Sequence, residues 1–232
     1  MFRSRRRPVV FPQAEHARLA GALALAWGNE RFPLPALPFA SFVAGVTLHD
    51  RGYGEHDADA IGEVETERWV AIQRAGFAPH GDDPAADLVI ALHVRRLVSD
   101  ARNPLEVAAL HAMEAELPGL HAAAGLDERT AADADRITDL CDRLAFDFCF
   151  EQAHGANVEV PSGTVAYRVD GAGGIELDPW PLRVPSLTGI VMAYRVDGYP
   201  GRLDPVVVPF EVRARTPGRR HTPAVSDTDT SV

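Results

Sequence analysis

An adjacent imidazole and carboxylate, His49 and Asp50, directly follow the short apolar run at residues 46–48. Imidazole nitrogens and carboxylate oxygens together suit a divalent metal ion that keeps some oxygen coordination. Because the chain contains nine histidines, one such pair arises easily by chance. The pair therefore indicates a metal site only if further ligand-type residues accompany it.

Two further histidines lie on segments that the apolar spacing predicts to be helical. His16 falls on or beside the apolar face of a helix predicted over residues 11–27. His93 lies inside an apolar helix predicted over residues 87–98. A histidine in such a setting costs free energy unless it is paired or bound to a ligand. His111 and His121 follow on a more polar segment and are interpreted as surface or supporting residues.

The longest predicted helix, residues 127–152, is rich in aspartates. Asp139, Asp142 and Phe146 share one face of it, so one carboxylate is expected to point inward while the other is solvated. The spacing alone leaves open whether Asp139 or Asp142 is the inward one. Cys141 and Cys149 lie eight residues apart on this helix, so they are not expected to form a disulfide.

The composition limits the class of protein. A chain of 232 residues with 46% hydrophobic residues is enough for one main globular domain. The net charge of −10 argues against an extended nucleic-acid surface. No apolar stretch is long enough to span a membrane, and we expect a cytoplasmic protein. The arginine-rich segment at residues 3–7 is interpreted as a solvated terminus.

The pattern changes near residue 155, where β-branched residues, glycines and prolines replace the alanine-rich helices. The hexapeptide Ala-Tyr-Arg-Val-Asp-Gly occurs at residues 166–171 and again at 193–198, which favours two similar strand-plus-turn segments. We therefore expect a mainly α, all-alpha core domain over residues 1–155. A small antiparallel β appendage would follow over residues 156–215, with a disordered tail at 216–232.

In this order, the elements resemble the HD-domain metalloprotein superfamily, and they are most similar to an uncharacterised bacterial family of HD-like proteins. The matching motifs are Gln-x-x-His at residues 13–16, Trp-Gly at 27–28, His-Asp-x-Gly-aromatic at 49–53, the helical segment 89–93 that ends in a histidine, the Asp-led segment 142–146 and Pro-Trp-Pro at 179–181. The similarity covers most of residues 9–212. It implies that the helical domain is an HD-like bundle.

The resemblance also implies roles for individual residues. It implies these metal ligands: His16, His49, Asp50 and Asp142. His93 would either bind a second ion or contact the substrate, and Arg95 or Arg96 would present a guanidinium to an anionic substrate. We assign the catalytic roles to His93 and Arg95. The cofactor would be one or two divalent ions of Mn, Ni, Mg, Zn or Fe.

The function expected from the resemblance is a metal-dependent phosphohydrolase acting on a small phosphorylated compound. One alternative is a diiron oxygenase on the same scaffold, which needs more histidines; His93 and His121 are available for that purpose. Another is a non-catalytic metal- or ligand-binding module. The expected partner is a small anionic substrate, with no nucleic acid and no membrane, and a homodimer is left open.

Overall fold

The computed structural model describes residues 2–58, 64–151, 154–170 and 173–216. Its helices are α1 (Gln13–Ala26), α2 (Phe39–Thr47), α3 (Thr66–Phe77), α4 (Pro84–Val98), α5 (Pro104–Ala124) and α6 (Glu128–Phe150), with a 3-10 segment at Arg51–Ala58. Its strands are β1 (Phe2–Arg3), β2 (Val9–Phe11), β3 (Gly155–Val160), β4 (Gly163–Val169), β5 (Gly174–Asp178), β6 (Ser186–Arg195) and β7 (Pro205–Ala214). Of the disordered tail expected at 216–232, residues 217–232 lie outside the described residues.

All seven of these strands form one mixed sheet in the order β1-β2-β6-β7-β5-β4-β3. The β5–β7 pair is parallel, and the other neighbouring pairs are antiparallel. The N-terminal strand β2 pairs with β6, so that Val9 lies opposite Arg195 and Val10 opposite Tyr194. The sheet is therefore built from both ends of the described chain.

The expectation of a mainly α, all-alpha bundle with a small β appendage is wrong. Phe11 on β2, Leu23 on α1, Leu144 on α6 and Val191 on β6 belong to one continuous buried hydrophobic cluster. A boundary at residues 155 and 156 would cut through this cluster. The sheet is a full layer against which α1 and α6 pack, because apolar faces of helices and strands bury each other.

Close helix packing brings the ligand-type residues together. A Cβ on Gly21 of α1 would lie 2.1 Å from Thr47 Oγ1 of α2, and a Cβ on Gly45 would lie 2.6 Å from Val89 Cβ of α4. Both positions therefore exclude any larger side chain. Helix α2 can approach α1 on one side and α4 on the other, which places His49 between those two helices.

The start of α1 is stabilised by Asp57, a residue more than 40 positions later in the sequence. Its N-cap residue, Pro12, has no side chain that could accept a hydrogen bond. The Asp57 carboxylate instead accepts hydrogen bonds from the backbone N–H groups of Gln13, at 2.6 Å, and Ala14, at 2.8 Å. A carboxylate at a helix N-terminus satisfies free donors and interacts favourably with the helix dipole. This contact orients the first turn of α1, where His16 lies.

The arginine-rich N-terminal segment is anchored to the end of α6, although Arg3, Arg5 and Arg6 are exposed, as expected of a solvated terminus. Glu151, which follows α6, accepts hydrogen bonds from Ser4 Oγ at 2.6 Å and from the Arg6 backbone N–H at 2.8 Å. Its other carboxylate oxygen lies 3.2 Å from Arg7 Nε. Burial raises the pKa of Glu151, but Ser4 and Arg7 together hold it below its usual value. One buried carboxylate therefore fixes the segment that leads into β2.

Arg51 and Asp87 form a buried ion pair next to the His-Asp element. The Arg51 Nη1 to Asp87 Oδ1 distance is 2.7 Å, and Asp87 Oδ2 accepts the backbone N–H groups of His80, at 3.0 Å, and Gly81, at 2.8 Å. Burial raises the pKa of Asp87, but the Gly81 N–H and the Arg51 guanidinium hold it below its usual value. The pair links the residue after Asp50 to the start of α4.

Across the described ranges, no helix combines the length and the hydropathy needed to cross a lipid bilayer.

Replacing Asp87 with asparagine should lower the free energy of unfolding by about 3 kcal/mol at neutral pH, because a buried guanidinium loses its counter-charge. The folded pKa of Asp87 lies below the unfolded value of about 3.9. Its stabilisation is therefore present above that pH and is lost as the pH falls through the folded pKa. Urea denaturation of wild type and Asp87→Asn across this range measures the difference.

The exposed neighbour Asp82 provides the control, since Asp82→Asn should change stability by less than about 0.5 kcal/mol. A stability difference for Asp87→Asn that stays constant from about pH 5 to about pH 2 would contradict the assignment.

Candidate metal centre

The structure brings together the five ligand-type residues that the sequence singled out. They come from four helices or helix ends: His16 from α1, His49 and Asp50 from the end of α2, His93 from α4 and Asp142 from α6. Two overlapping groups have ligand atoms within 4.8 Å of one another: His16, His49 and Asp142, and His49, Asp50 and His93. All three histidines are about 1% exposed. A divalent ion prefers such mixed nitrogen and oxygen donors.

His16 lies between the two carboxylates. Its Nδ1 is 3.1 Å from Asp50 Oδ2, and its Nε2 is 3.0 Å from Asp142 Oδ1. Burial lowers the pKa of His16, but hydrogen bonds to Asp142 and Asp50 raise it to about 10. In the metal-free chain this imidazole therefore bears a proton between two carboxylates. A metal ion at the same place would replace that positive charge.

Both carboxylates stay ionised despite their burial. Burial raises the pKa of Asp50, but the neighbouring His49 and the hydrogen bond from His16 hold it well below its usual range. Burial likewise raises the pKa of Asp142, and the surrounding histidines lower it further than burial raises it. Two ionised carboxylates in one buried cluster require compensating positive charge.

His49 gives the clearest indication of a cation. Its Nδ1 lies 2.7 Å from the Val46 carbonyl oxygen, so it donates a hydrogen to that oxygen. In the neutral ring, Nε2 is then a bare acceptor. This Nε2 lies 3.4 Å from Asp142 Oδ1 and 3.6 Å from Asp50 Oδ2, is buried, and has no hydrogen-bond partner. Lone pairs that face each other at these distances repel unless positive charge lies between them, either as a proton on Nε2 or as a metal ion.

His93 has a different environment. Its Nδ1 lies 3.0 Å from Nη2 of Arg96, and its Nε2 lies 3.6 Å from Asp50 Oδ1 without a hydrogen-bond partner. Burial and the nearby His49 lower the pKa of His93, so the ring is neutral at pH 7. A guanidinium can only donate, so Nδ1 accepts its hydrogen and the ring hydrogen resides on Nε2.

Arg96, rather than Arg95, is the guanidinium of this site. Arg96 Nε lies 2.9 Å from Asp139 Oδ1 and its Nη2 lies 3.5 Å from Asp142 Oδ2, and it also pairs with Asp135. Arg95 points away from the site, where its half-exposed side chain lies 3.5 Å from Glu114. Successive helical residues differ by about 100° in direction, so only one of this adjacent pair can face the centre.

The two aspartates of α6 that the sequence compared have separate roles. Asp142 points inward to the histidines, whereas Asp139 lies at the rim and accepts from Arg143 Nε at 2.9 Å. His121 lies apart from the centre, with its Nδ1 3.1 Å from the Leu126 carbonyl oxygen. His111 is exposed.

A cavity of about 610 Å³ opens beside the centre and has His16, Asp50, His93 and Asp142 in its lining. Aromatic side chains form much of its remaining wall: Phe2, Tyr53, Trp69, Phe146 and Tyr167. Tyr53 and Phe146 belong to the HD-like motifs read from the sequence, and Tyr167 belongs to the first copy of the repeated hexapeptide. Phe2, Trp69 and Tyr167 come from distant segments, and no spacing relates them to the His-Asp pair.

The residues present fit a divalent metal ion. The bare and unpartnered Nε2 of His49 faces two ionised carboxylates, and imidazole and carboxylate donors are common ligands of such ions. Cys141 lies on α6 beside Asp142. Burial raises the pKa of its thiol, and it belongs to neither candidate ligand group. The donor set is therefore one of nitrogen and oxygen.

Comparison with protein families gave one informative match. A family model described as "Protein of unknown function (DUF3891)" matches residues 2–197. Comparison with curated proteins and with solved structures gave no match.

Asp142→Asn should greatly weaken metal binding, whereas Asp139→Asn should leave it nearly unchanged. Changes in residues that only support a ligand typically weaken binding by about 10–100-fold, so loss of a ligand oxygen should cost at least as much. Equilibrium dialysis against Mn²⁺ followed by elemental analysis measures the bound ion. Asp139→Asn serves as the matched control on the same helix. The reverse pattern, with metal lost only in Asp139→Asn, would overturn the ligand assignment.

Proposed function

The chain belongs to the DUF3891 family, and we propose that it is a metal-dependent hydrolase of small phosphorylated compounds. The observation that supports this most directly is the unpartnered Nε2 of His49, which faces the Asp50 and Asp142 carboxylates in a buried cluster. The cavity of about 610 Å³ next to that cluster has room for a small substrate.

In the proposed centre, His16, His49, Asp50 and Asp142 hold a divalent ion. When bound, such an ion lowers the pKa of water and polarises a phosphoryl oxygen. The depressed pKa values of Asp50 and Asp142 suit both residues to hold a cation at neutral pH. The order of these ligands along the chain also supports kinship with the HD superfamily, on a fold that adds a large sheet.

The proposed reaction is hydrolysis of a phosphomonoester. The bond between phosphorus and the alcohol oxygen breaks, the oxygen of water joins phosphorus, and the alcohol leaves with a proton. His93 is neutral and bears its hydrogen on Nε2, because Nδ1 accepts from Arg96. Its buried Nε2 lies 3.6 Å from Asp50 Oδ1, so this hydrogen faces the Asp50 carboxylate beside the cavity. Arg96 acts as a positioning residue, since it orients His93 and Asp142.

The arrangement favours hydrolysis over the oxygenase alternative. A diiron oxygenase on an HD scaffold needs additional histidines, and His93 and His121 were the candidates for that role. His121 lies at the end of α5 and is paired with the Leu126 carbonyl oxygen. Among the described residues, the candidate ligand groups contain three histidines, His16, His49 and His93. This smaller set suits a hydrolase.

Purified protein reconstituted with Mn²⁺, Ni²⁺, Mg²⁺, Zn²⁺ or Fe²⁺ should release phosphate or alcohol from members of a panel of phosphomonoesters, nucleotides and cyclic nucleotides. His49→Ala should lower kcat/KM by at least about 100-fold, because stabilisation of transition-state charge is lost. Thermal unfolding and circular dichroism should show that the variant remains folded.

His111→Ala removes an exposed histidine and should retain wild-type activity. Inactivity with every ion, together with iron-dependent oxygen uptake, would favour the oxygenase. Failure to bind any metal would favour the alternative of a non-catalytic ligand-binding module.

A further inference from the structure

The cavity beside the metal centre is acidic. Its lining contains two guanidiniums, Arg96 and Arg143, and five carboxylates: Asp50, Asp100, Asp139, Asp142 and Asp147. The carboxylates therefore exceed the guanidiniums by three charges, and one divalent ion offsets two of them. The cavity remains negative before a substrate enters, so it disfavours a ligand with several anionic groups.

Both guanidiniums of the lining already face carboxylates. Arg96 contacts Asp135, Asp139 and Asp142. Arg143 Nε lies 2.9 Å from both oxygens of Asp139, and the Arg143 side chain is 56% exposed. A second phosphate or carboxylate of a substrate would have to compete with these carboxylates for the two guanidiniums, and it would also be repelled by them.

The same cavity lining also offers groups that suit a cation. Asp100 is exposed at the lining and has no ion-pair partner among the described residues. The ring faces and edges of Phe2 and Trp69 lie in the same lining, and aromatic rings attract cations electrostatically. Gln13 also lines the cavity and is 4% exposed, with its buried side-chain oxygen lacking a hydrogen-bond partner. An ammonium group would supply the hydrogen-bond donor that the Gln13 side-chain oxygen lacks.

We propose that the substrate is a phosphorylated amine, with a single phosphoryl group at the metal centre and an ammonium group near Asp100 in the cavity lining. This inference rests on the proposed hydrolase function. It adds a charge requirement on the organic part of the substrate, which the metal centre alone does not impose.

Three phosphomonoesters of similar length test the requirement: aminopropyl phosphate, propyl phosphate and carboxyethyl phosphate. We expect kcat/KM for the amine to exceed that for propyl phosphate by about tenfold. We expect the carboxylate to fall below propyl phosphate by a similar factor, of about tenfold, because like charges repel. The preference for the amine should shrink at high salt, since part of the attraction is to an exposed carboxylate.

Asp100→Asn removes the exposed charge with little change in volume. It should reduce the ratio of kcat/KM between aminopropyl and propyl phosphate severalfold, to well below the wild-type ratio. Asp82→Asn removes an exposed carboxylate outside the cavity lining, so it should keep the wild-type ratio.

The outcomes separate the two proposals. Turnover of all three esters at equal rates would overturn the charge requirement and leave the hydrolase standing. If no ester is turned over with any ion, the hydrolase proposal fails, and calorimetry decides the charge requirement. Metal-loaded protein should then bind aminopropylphosphonate about tenfold more tightly than propylphosphonate. Equal affinities, or no binding of either compound, would overturn the inference.

Discussion

The structure depends on a buried cluster in which imidazoles and ionised carboxylates lie within 3.0 to 3.6 Å of one another. Such a cluster is stable only when positive charge is present inside it. In the metal-free chain the protonated His16 supplies that charge between Asp50 and Asp142. In the proposed loaded state a divalent ion supplies it. The helices that deliver these side chains are thus held at a spacing that an ion can occupy.

The surrounding contacts fix each ligand from outside the cluster. Asp57 binds the first turn of α1, which positions His16, and the Arg51–Asp87 pair fixes the segment after Asp50. The hydrogen bond to the Val46 carbonyl oxygen keeps a ring hydrogen of His49 on Nδ1. The hydrogen bond from Arg96 to Nδ1 of His93 keeps the ring hydrogen of His93 on Nε2. Orientation by such outer contacts is what makes an imidazole a defined ligand or donor.

The sequence indicated the candidate site better than the fold. His93 could be selected because a histidine on an apolar helix needs a partner, whereas His16 and Asp142 were chosen through the resemblance to the HD superfamily. The assignment of a catalytic role to Arg95 instead of Arg96 had no basis in the sequence, because it depends on the rotation of α4. The sheet was underestimated because β2 has three residues, too few to show a strand period, and its partner β6 lies far along the chain. Much of the aromatic cavity wall could not be predicted, since residues as distant in sequence as Phe2 and Tyr167 line the same cavity only through the tertiary fold.

The pairing of β2 with β6 has a kinetic consequence. Val10 can pair with Tyr194 only after that residue has been synthesised. Likewise, His16 can contact Asp142 only after a further 126 residues have been added. Contacts between such distant residues slow folding, because the long intervening loop must close before the contact stabilises anything. During synthesis His16 would emerge early, whereas Asp142 and then β6 emerge much later. The ligand set would therefore be completed only after most of the chain has left the ribosome, and the earlier segments would spend that interval without the cluster that fixes their arrangement.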